Sequence, residues 1–470
     1  MVVSSETICK SMEEIVSKEY VSGNIYERIK NAIDPFPYEV RKEQVPYATV
    51  MPADTQQVAE IVKFANAHKV PVFVKGSGTH LGGASRPHEP GIILSTHRLN
   101  KIEFLEDYGF FECGAGCTCA NVAQEVEKRG YFLPMAPGSR LIASMGGLVS
   151  NNTSGHIIDT SIGKSGDYVY GLEVVLPTGE IIETGTMGLR RPAGTDMTKF
   201  FVGGDGLLGV ITKIRMRLLP STQRAYGVVV FEDVVAMARG VQRMYMEKRP
   251  APLLMEFLDR KTAKVGYTIK GLEPPQGAVI FFVATGNTRE EAAGKVNLIL
   301  QSFKAENPQS AEMIDDLELW NKLWSAREVI GSYLMQEGKQ WSSAEVVSNL
   351  RDLPQCMTEV LRFNEGLPVF GQLELFIFGH IGGLTFHPGV LIPREWDNDR
   401  KRQAINERFQ REAELNLKYR TCGGEWGQFS KRTNFWRQRY GEVSYQLIKK
   451  MKAVFDPNNI LNPGILEGYR

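Results

Sequence analysis

Gly379-His380-Ile381-Gly382-Gly383-Leu384-Thr385-Phe386-His387 sets two histidines seven residues apart, and Gly423-Gly424-Glu425-Trp426-Gly427 brings a carboxylate from well downstream. Two imidazoles and a carboxylate from separate segments suit a divalent metal that keeps open positions for substrate and water. Taken alone, the histidine pair reads first as structural histidines satisfied in a core. In Trp324-Ser325-Ala326-Arg327-Glu328, Arg327 offers a planar fork of the kind that grips a carboxylate with two hydrogen bonds, though an isolated Trp-x-x-Arg on a helix also fits a surface or ion-paired residue.

A second kind of chemistry is written in glycine. Four segments of the first half are rich in it: Lys75 to Gly83; Pro137-Gly138-Ser139 with Ala143 to Gly155; Gly171 to Gly179, preceded by Asp167; and Gly203 to Thr212. Glycine lets backbone N–H groups approach an anion, so the set reads as a phosphate cradle spread over several loops. It is not a nicotinamide site. A strand, Gly91-Ile92-Ile93-Leu94-Ser95, follows the first loop where a long helix would be needed, and Leu81 stands where the third glycine of that fingerprint belongs. Gly163-Lys164-Ser165 has the tail of a P-loop, but Ile158 occupies its first glycine position.

These loops need elements to hold them. Asp54 with Gln57 forms a capping-box-like start, and Val58, Ile61, Val62 and Ala65 then fall on one helical face. The helix stops at His68-Lys69, and Val70 to Val74 is a β-branched strand that runs into the glycines. Short strands and helices alternate in this way from Tyr47 to Leu219. Beyond Pro220, strands at Gly227–Phe231 and Gly277–Val283 alternate with helices at about 236–248 and 289–305. The tail from Ile405 to Val454 reads as two helices around a glycine-rich turn. The expected organisation is an N-terminal helical arm (1–44), a first α+β domain (45–220), an α+β cap or substrate domain (221–400) and a C-terminal segment (401–470).

Composition narrows the classes. At 470 residues the chain is long enough for two or three domains. Its 55 Lys+Arg against 54 Asp+Glu provide no basic field for a nucleic acid backbone. No apolar run approaches the roughly 18 residues of a membrane span, and the first 20 residues carry charges where a signal peptide would be apolar. A soluble, cytoplasmic protein is expected. Six cysteines without a C-x-x-C pair make neither a disulfide framework nor a common cluster motif, and Cys113, Cys117 and Cys119 read as small buried thiols.

The set K-G-S-G-T, A-S-M-G-G-x(4)-N-x-x-G, D-Y-V-x-G-L-x-V-V-L-x-x-G and G-G-D-G-L-L-G-V-I-T resembles the FAD-binding domain of the vanillyl-alcohol oxidase and p-cresol methylhydroxylase superfamily. It lies nearest to glycolate oxidase FAD subunits and to D-lactate or D-2-hydroxyglutarate dehydrogenases. The resemblance runs from about Val45 to Pro463 and includes the closing F-D-P-x-x-I-L-N-P-G. It implies a two-domain α+β fold with FAD as cofactor. Lys75, Gly76, Ser77, Gly78, Thr79, His80, Leu81 and Gly82 would hold the pyrophosphate. Pro137, Gly138, Ser144, Gly147, Asn151 and Gly155 would line the flavin and phosphates, with Gly206, Gly209, Ile211 and Asn462 at the flavin nucleotide. Lys75 stands where an arginine is usual. The wider superfamily includes members that tether FAD through a histidine, which draws notice to His80 and His156, whereas the nearest branch binds it without a covalent bond.

The resemblance also implies a divalent metal such as zinc, manganese or iron on His380, His387 and Glu425, and assigns Arg327 to the substrate carboxylate. Three positions depart from the pattern. Gly383 replaces an Asp, Thr385 an Asn, and Trp426 the histidine that takes the proton from the substrate hydroxyl. An indole cannot be a base, so the chemistry assigned to Arg327, Glu425 and Trp426 keeps alternatives open. The first expectation is an FAD-dependent dehydrogenase of a small hydroxyacid, passing electrons to an iron-sulfur protein, an electron-transferring flavoprotein or a quinone, alone or in an oligomer. The others are oxidation of a bulkier aromatic alcohol or phenol, and an electron-transfer subunit without a substrate of its own.

Overall fold

A computed structural model describes residues 4–36, 39–153, 155–158, 163–190, 194–336, 339–423 and 433–467. The chain divides into two compact α+β units, neither of them continuous in sequence. The first is Met1–Ser154, Lys164–Ser221 and Gly424–Arg470; the second is Gly155–Gly163 and Thr222–Gly423. None of the helices among the described residues is long and apolar enough to cross a membrane.

In the first unit, Asp54 caps the helix Thr55–His68 by accepting from Gln57 N at 2.9 Å. The Gln57 side chain accepts in turn from Ala53 N at 2.7 Å, one residue before the cap. A cap of this kind contributes about 1 kcal/mol. Lys69 turns left-handed (φ 53°) and releases the chain into Val72–Lys75. That strand and Ala48–Val50 flank Ile92–Ser95, all three parallel, with Val21–Ser22 antiparallel at the edge. Unbroken apolar runs suit parallel strands covered on both faces. The helical face Val58, Ile61, Val62 and Ala65 packs with Ile8, Met12 and Val16 of the helix Ser5–Val16 and with Ile460 and Leu461. The first residues therefore belong to the core of this unit and do not stand as a separate arm, and the last ones join them: Val72 N donates to Ile460 O at 2.7 Å and Asn462 N to Val72 O at 2.9 Å. A second, antiparallel sheet orders Ile102–Leu105, Phe110–Gly114, Val210–Arg217, Val169–Val175 and Ile181–Gly185. Cys113, Cys117 and Cys119 are buried free thiols beside it.

The second unit is one antiparallel sheet in the order Ser310–Ile314, Gln223–Phe231, Ala278–Gly286, Leu254–Leu258, Leu375–Gly379, Thr385–Pro393 and Lys339–Ser343. Helices Val234–Met246 and Arg289–Lys304 pack on it, with Phe303 edge-on to both Phe231 and Phe282 at 5.9 Å. Helices Arg260–Ile269 and Leu317–Gln336 cross closely, because a Cβ on Gly266 would lie 2.1 Å from Ala326 O. Only glycine allows that approach, and it fixes the height of the next residue, Arg327. Among its described residues the tail carries three helices, Asn398–Lys418, Thr433–Tyr440 and Glu442–Phe455, where two were expected.

Candidate functional site

The glycine loop of the first unit lies between Val72–Lys75 and Ile92–Ser95. A Cβ on Gly76 would sit 1.9 Å from Ser144 Oγ, so the loop and the start of Met145–Ser150 touch backbone to side chain. Gly78 is left-handed (φ 65°), which no β-carbon would favour. Within the loop, His80 Nδ1 accepts from Gly82 N at 3.0 Å and from Ala84 N at 3.2 Å, which places the ring proton on Nε2. That Nε2 is buried and makes no hydrogen bond among the described residues. Asn462 donates to Asp205 O at 3.0 Å and Gly206 O at 3.3 Å, tying the C-terminal turn to the fourth glycine segment, while its own Oδ1 is buried without a partner among the described residues.

Lys75 behaves differently from its neighbours. Its ammonium donates to Asn31 O at 2.5 Å and Ile33 O at 2.7 Å, and burial, reinforced by the Arg86 charge and opposed by Asp34, lowers its pKa to about 8. Arg86 pairs with Asp34, both buried, and donates to Asp34 O at 2.9 Å and Phe36 O at 2.5 Å. Lys75 and Arg86 thus anchor residues 31–36 to the two ends of the glycine loop. What the loop offers at its start is backbone, with the Lys75 cation spent on carbonyls.

In the second unit, sheet register assembles a polar cluster inside an apolar wall. Phe257 pairs with Gly379 and Leu258 with Phe378, so one further step sets Glu256 opposite His380. Phe378 pairs with His387, and alternation then puts Glu256, Phe378, His380 and His387 on one face. Glu256 is fully buried. Its Oε1 accepts from His380 Nδ1, and its Oε2 accepts from Arg327 Nε at 3.1 Å and Nη2 at 2.6 Å. The Arg327 guanidinium also lies over the Phe378 ring, 5.0 Å from its centre. The His156 ring is 5.4 Å from that of His380 and 5.5 Å, edge-on, from Trp324; the His387 ring is 5.2 Å from that of His380. All three histidines are buried. Burial alone would raise the Glu256 pKa, but the positive charges of His380, Arg327 and His156 outweigh it and hold the carboxyl at about 2. It is an anion throughout the physiological range.

Two glycines make the turn beside this cluster. A Cβ on Gly379 would meet Thr385 O at 2.4 Å, and one on Gly382 would meet Ile158 Cδ1 at 2.0 Å. Ile158 N in turn donates to Leu253 O at 2.9 Å, which pins the segment carrying His156 to the strand that leads into Glu256.

Residues 46–185 match the family described as FAD binding domain, and residues 220–466 match FAD linked oxidases, C-terminal domain. The chain belongs to the FAD-linked oxidases. It is 29% identical over 434 residues to glycolate oxidase subunit GlcD of Bacillus subtilis, covering 90% of this chain and 89% of that one. It is equally 29% identical over 429 residues to D-lactate dehydrogenase of Archaeoglobus fulgidus, covering 89% and 90%. Among solved structures, 4-ethylphenol oxidase from Gulosibacter chungangensis superposes with a TM-score of 0.78 at 16% identity, covering 98% of this chain and 96% of that one, a likeness of fold. The p-cresol methylhydroxylase fold is matched equally, with a TM-score of 0.78 at 18% identity.

The first unit of this FAD-linked oxidase has the features that FAD requires. Glycine loops expose backbone amides, and a buried His80 N–H and Asn462 side-chain carbonyl oxygen have no partner among the described residues. Gly76 and Ser144 meet, as do Gly206 and Asn462, while Gly209 packs on Val174 and Ile211 pairs with it in the sheet. Ser77, Thr79, Leu81 and Gly82 share the first loop, Pro137, Gly138 and Gly147 flank Ser144 in sequence, and Asn151 bonds Thr153 at 3.1 Å. Gly155 groups with the second unit.

Of the set assigned to metal and substrate, the fold brings together Arg327, His380 and His387. Glu425 and Trp426 lie outside the described residues. In place of an open fork, Arg327 has its Nε–Nη2 edge on Glu256. Sequence reading missed Glu256 and considered His156 only as a flavin tether. A signal for Glu256 existed: a carboxylate inside Leu253-Leu254-Met255-Glu256-Phe257-Leu258 must find partners if that strand is buried. For His156 there was none, since its neighbours come from register.

Proposed function

We propose that this FAD-linked oxidase dehydrogenates a small 2-hydroxyacid of the lactate or glycolate type at its hydroxyl-bearing carbon and hands the electrons to an external acceptor. The relatives' names support the substrate class: glycolate oxidase subunit, D-lactate dehydrogenase and, at 27% identity, D-2-hydroxyglutarate dehydrogenase of Stutzerimonas stutzeri. The observation that carries the reading is the buried Arg327–Glu256–His380 network, a charged group of side chains held in an otherwise apolar sheet. FAD, when bound, accepts the hydride. Arg327, held at a fixed angle by Glu256, presents the Nη1 side of its fork to a carboxylate, and the Phe378 face beneath keeps water from the guanidinium. The imidazoles supply further donors to the substrate oxygens. Six free cysteines support a cytoplasmic location, where thiols stay reduced.

One observation favours a bulkier aromatic substrate instead. Trp324, edge-on to His156, stacks on Trp320 at 5.8 Å, and Trp320 stacks on Tyr226 at 4.7 Å, an aromatic wall beside the cluster. An anaerobic absorbance titration of the purified flavoprotein with D- and L-2-hydroxyacids and aromatic alcohols separates the two. Bleaching by a D-2-hydroxyacid is expected, with Arg327→Lys raising the substrate concentration needed by about 30-fold or more, the loss of about 2 kcal/mol of charge-paired binding. Bleaching by aromatic alcohols alone, or by none of the panel, would sink the hydroxyacid reading.

A further inference from the structure

A buried ion pair lies at the end of the helix Glu442–Phe455, outside the glycine segments, where Lys452 Nζ donates to Asp456 Oδ2 at 2.5 Å. The same ammonium donates to Leu461 O at 2.7 Å and, from 245 residues away in sequence, to Leu207 O at 2.8 Å. An ammonium has three N–H groups, and all three are engaged. Asp456 carries the hold onward, its Oδ1 accepting from Ile460 N at 3.0 Å and its Oδ2 from Leu461 N at 2.8 Å. We infer that Lys452, paired with Asp456, is a positioning residue for FAD: it clamps the closing turn, and with it Asn462, onto the fourth glycine segment. The inference rests on FAD as the cofactor and is independent of which acid is oxidised.

Three observations carry it. The first is where the clamp lands. Asn462 Nδ2 donates to Asp205 O and Gly206 O, and Lys452 to Leu207 O, so three consecutive carbonyls of one glycine segment are held by side chains of the C-terminal segment. A trans peptide sets its N–H opposite its C=O, which aims the amides of Gly206 and Leu208 away from the turn. The second is the closeness of the approach. A Cβ on Gly206 would lie 2.7 Å from Asn462 Nδ2, and Asn462 is itself left-handed (φ 42°), a conformation that asparagine tolerates and most side chains resist. The third is the polarity left over. Asn462 is 4% exposed, and its Oδ1 is buried without a partner among the described residues. A buried acceptor calls for a donor, and FAD carries donors in the imide N–H of its flavin and the hydroxyls of its ribityl chain.

The same turn reaches the first glycine loop. Val72 N donates to Ile460 O at 2.7 Å and Asn462 N to Val72 O at 2.9 Å, and the strand that begins at Val72 runs into that loop at Lys75. One ammonium thus sets the spacing of two glycine segments that are far apart in sequence. Cohesion alone does not call for such an arrangement, since a buried ion pair can often be replaced by neutral groups at little cost in stability.

The test reads FAD affinity on the full-length protein and needs no substrate. Lys452→Met alone would leave Asp456 charged and unpaired, so the decisive variant combines Lys452→Met with Asp456→Asn, which removes both charges and keeps an acceptor for the turn. Circular dichroism and the urea midpoint of the apoprotein monitor its fold. It should bind FAD about 10- to 100-fold more weakly in a flavin-fluorescence titration, the range of a lost charged hydrogen bond. Asn462→Ala should weaken FAD about tenfold in the wild type but less than about threefold in that background, because the clamp acts through Asn462, whereas a pair that only stabilises the unit would give additive losses. Hydrogen exchange on the unsubstituted protein decides the matter even if the variant does not fold: removing FAD should speed exchange of the Ile460, Leu461 and Asn462 amides about tenfold or more. The inference is overturned if the folded double variant holds FAD as tightly as wild type, if Asn462→Ala costs the same in both backgrounds, or if exchange at the closing turn is indifferent to FAD.

Discussion

The two units solve the problem of building a site in opposite ways. The first uses backbone. Its glycine segments are local in sequence, each one a turn or a close approach whose requirement is met by the residue standing there, as at Gly76 against Ser144. The second uses side chains from four separate segments, and it exists only because strand register sets Glu256 opposite His380 and a helix crossing at Gly266 delivers Arg327. A backbone site tolerates wide change in the side chains around it, while a side-chain network fails when one member is lost.

That contrast can be broken by mutation. Glu256→Ala should have the largest effect. It leaves the Arg327 guanidinium buried without its carboxylate, a loss of about 3–5 kcal/mol in unfolding free energy by urea denaturation. A change below about 1 kcal/mol would mean that the network is no more demanding than a surface ion pair.

Next comes the cation that does not fit the backbone scheme. The Lys75 pKa, lowered from 10.5 to about 8 by burial, means that the folded state pays for keeping it charged. Between pH 8 and 10.5 the unfolded chain binds more protons than the native one, so stability should rise with pH across that window, by up to about 3 kcal/mol from this group. Below pH 8 the penalty is fully present. Lys75→Met should flatten the rise, and an equal slope in the variant would assign it to other groups.

The smallest effect sharpens the backbone side. Gly76→Ala should weaken FAD binding about tenfold, or about 1.4 kcal/mol, by pushing Ser144 out of place, and a second change, Ser144→Gly, should restore much of it. Flavin retained per chain after dialysis reads the difference. Failure of the second change to help would show that the Gly76 contact is not what shapes the loop.

The same contrast explains what could be read in advance. The helix from Asp54, the strands on either side of the first glycine loop, and FAD itself were legible because caps, apolar runs and glycine spacing are short-range signals. The placement of Arg327, His380 and His387 near one another followed only from resemblance. Glu256 and His156 were not assigned to the site, because which side chains share a face depends on pairing between strands more than a hundred residues apart. The hold of Lys75 and Arg86 on residues 31–36 was missed for the same reason: two cations beside a presumed phosphate loop suggest an anion, and here they are used on carbonyls and on Asp34.

The closing segment has a consequence for biosynthesis. Ile460 and Leu461 are core residues of the first sheet, and Asn462 and Ile460 bracket Val72 by hydrogen bonds, although almost four hundred residues separate them. A ribosome releases every residue of the second unit before it reaches those positions. The usual order, in which the N-terminal domain folds first, is therefore reversed: the earlier half of the chain waits, with the outer edge of Val72–Lys75 uncovered, until Ile460 to Asn462 have been translated. Premature termination between Gly423 and Ile460 should yield a chain whose second unit can fold and whose first cannot close, leaving that edge open to pairing with another nascent chain.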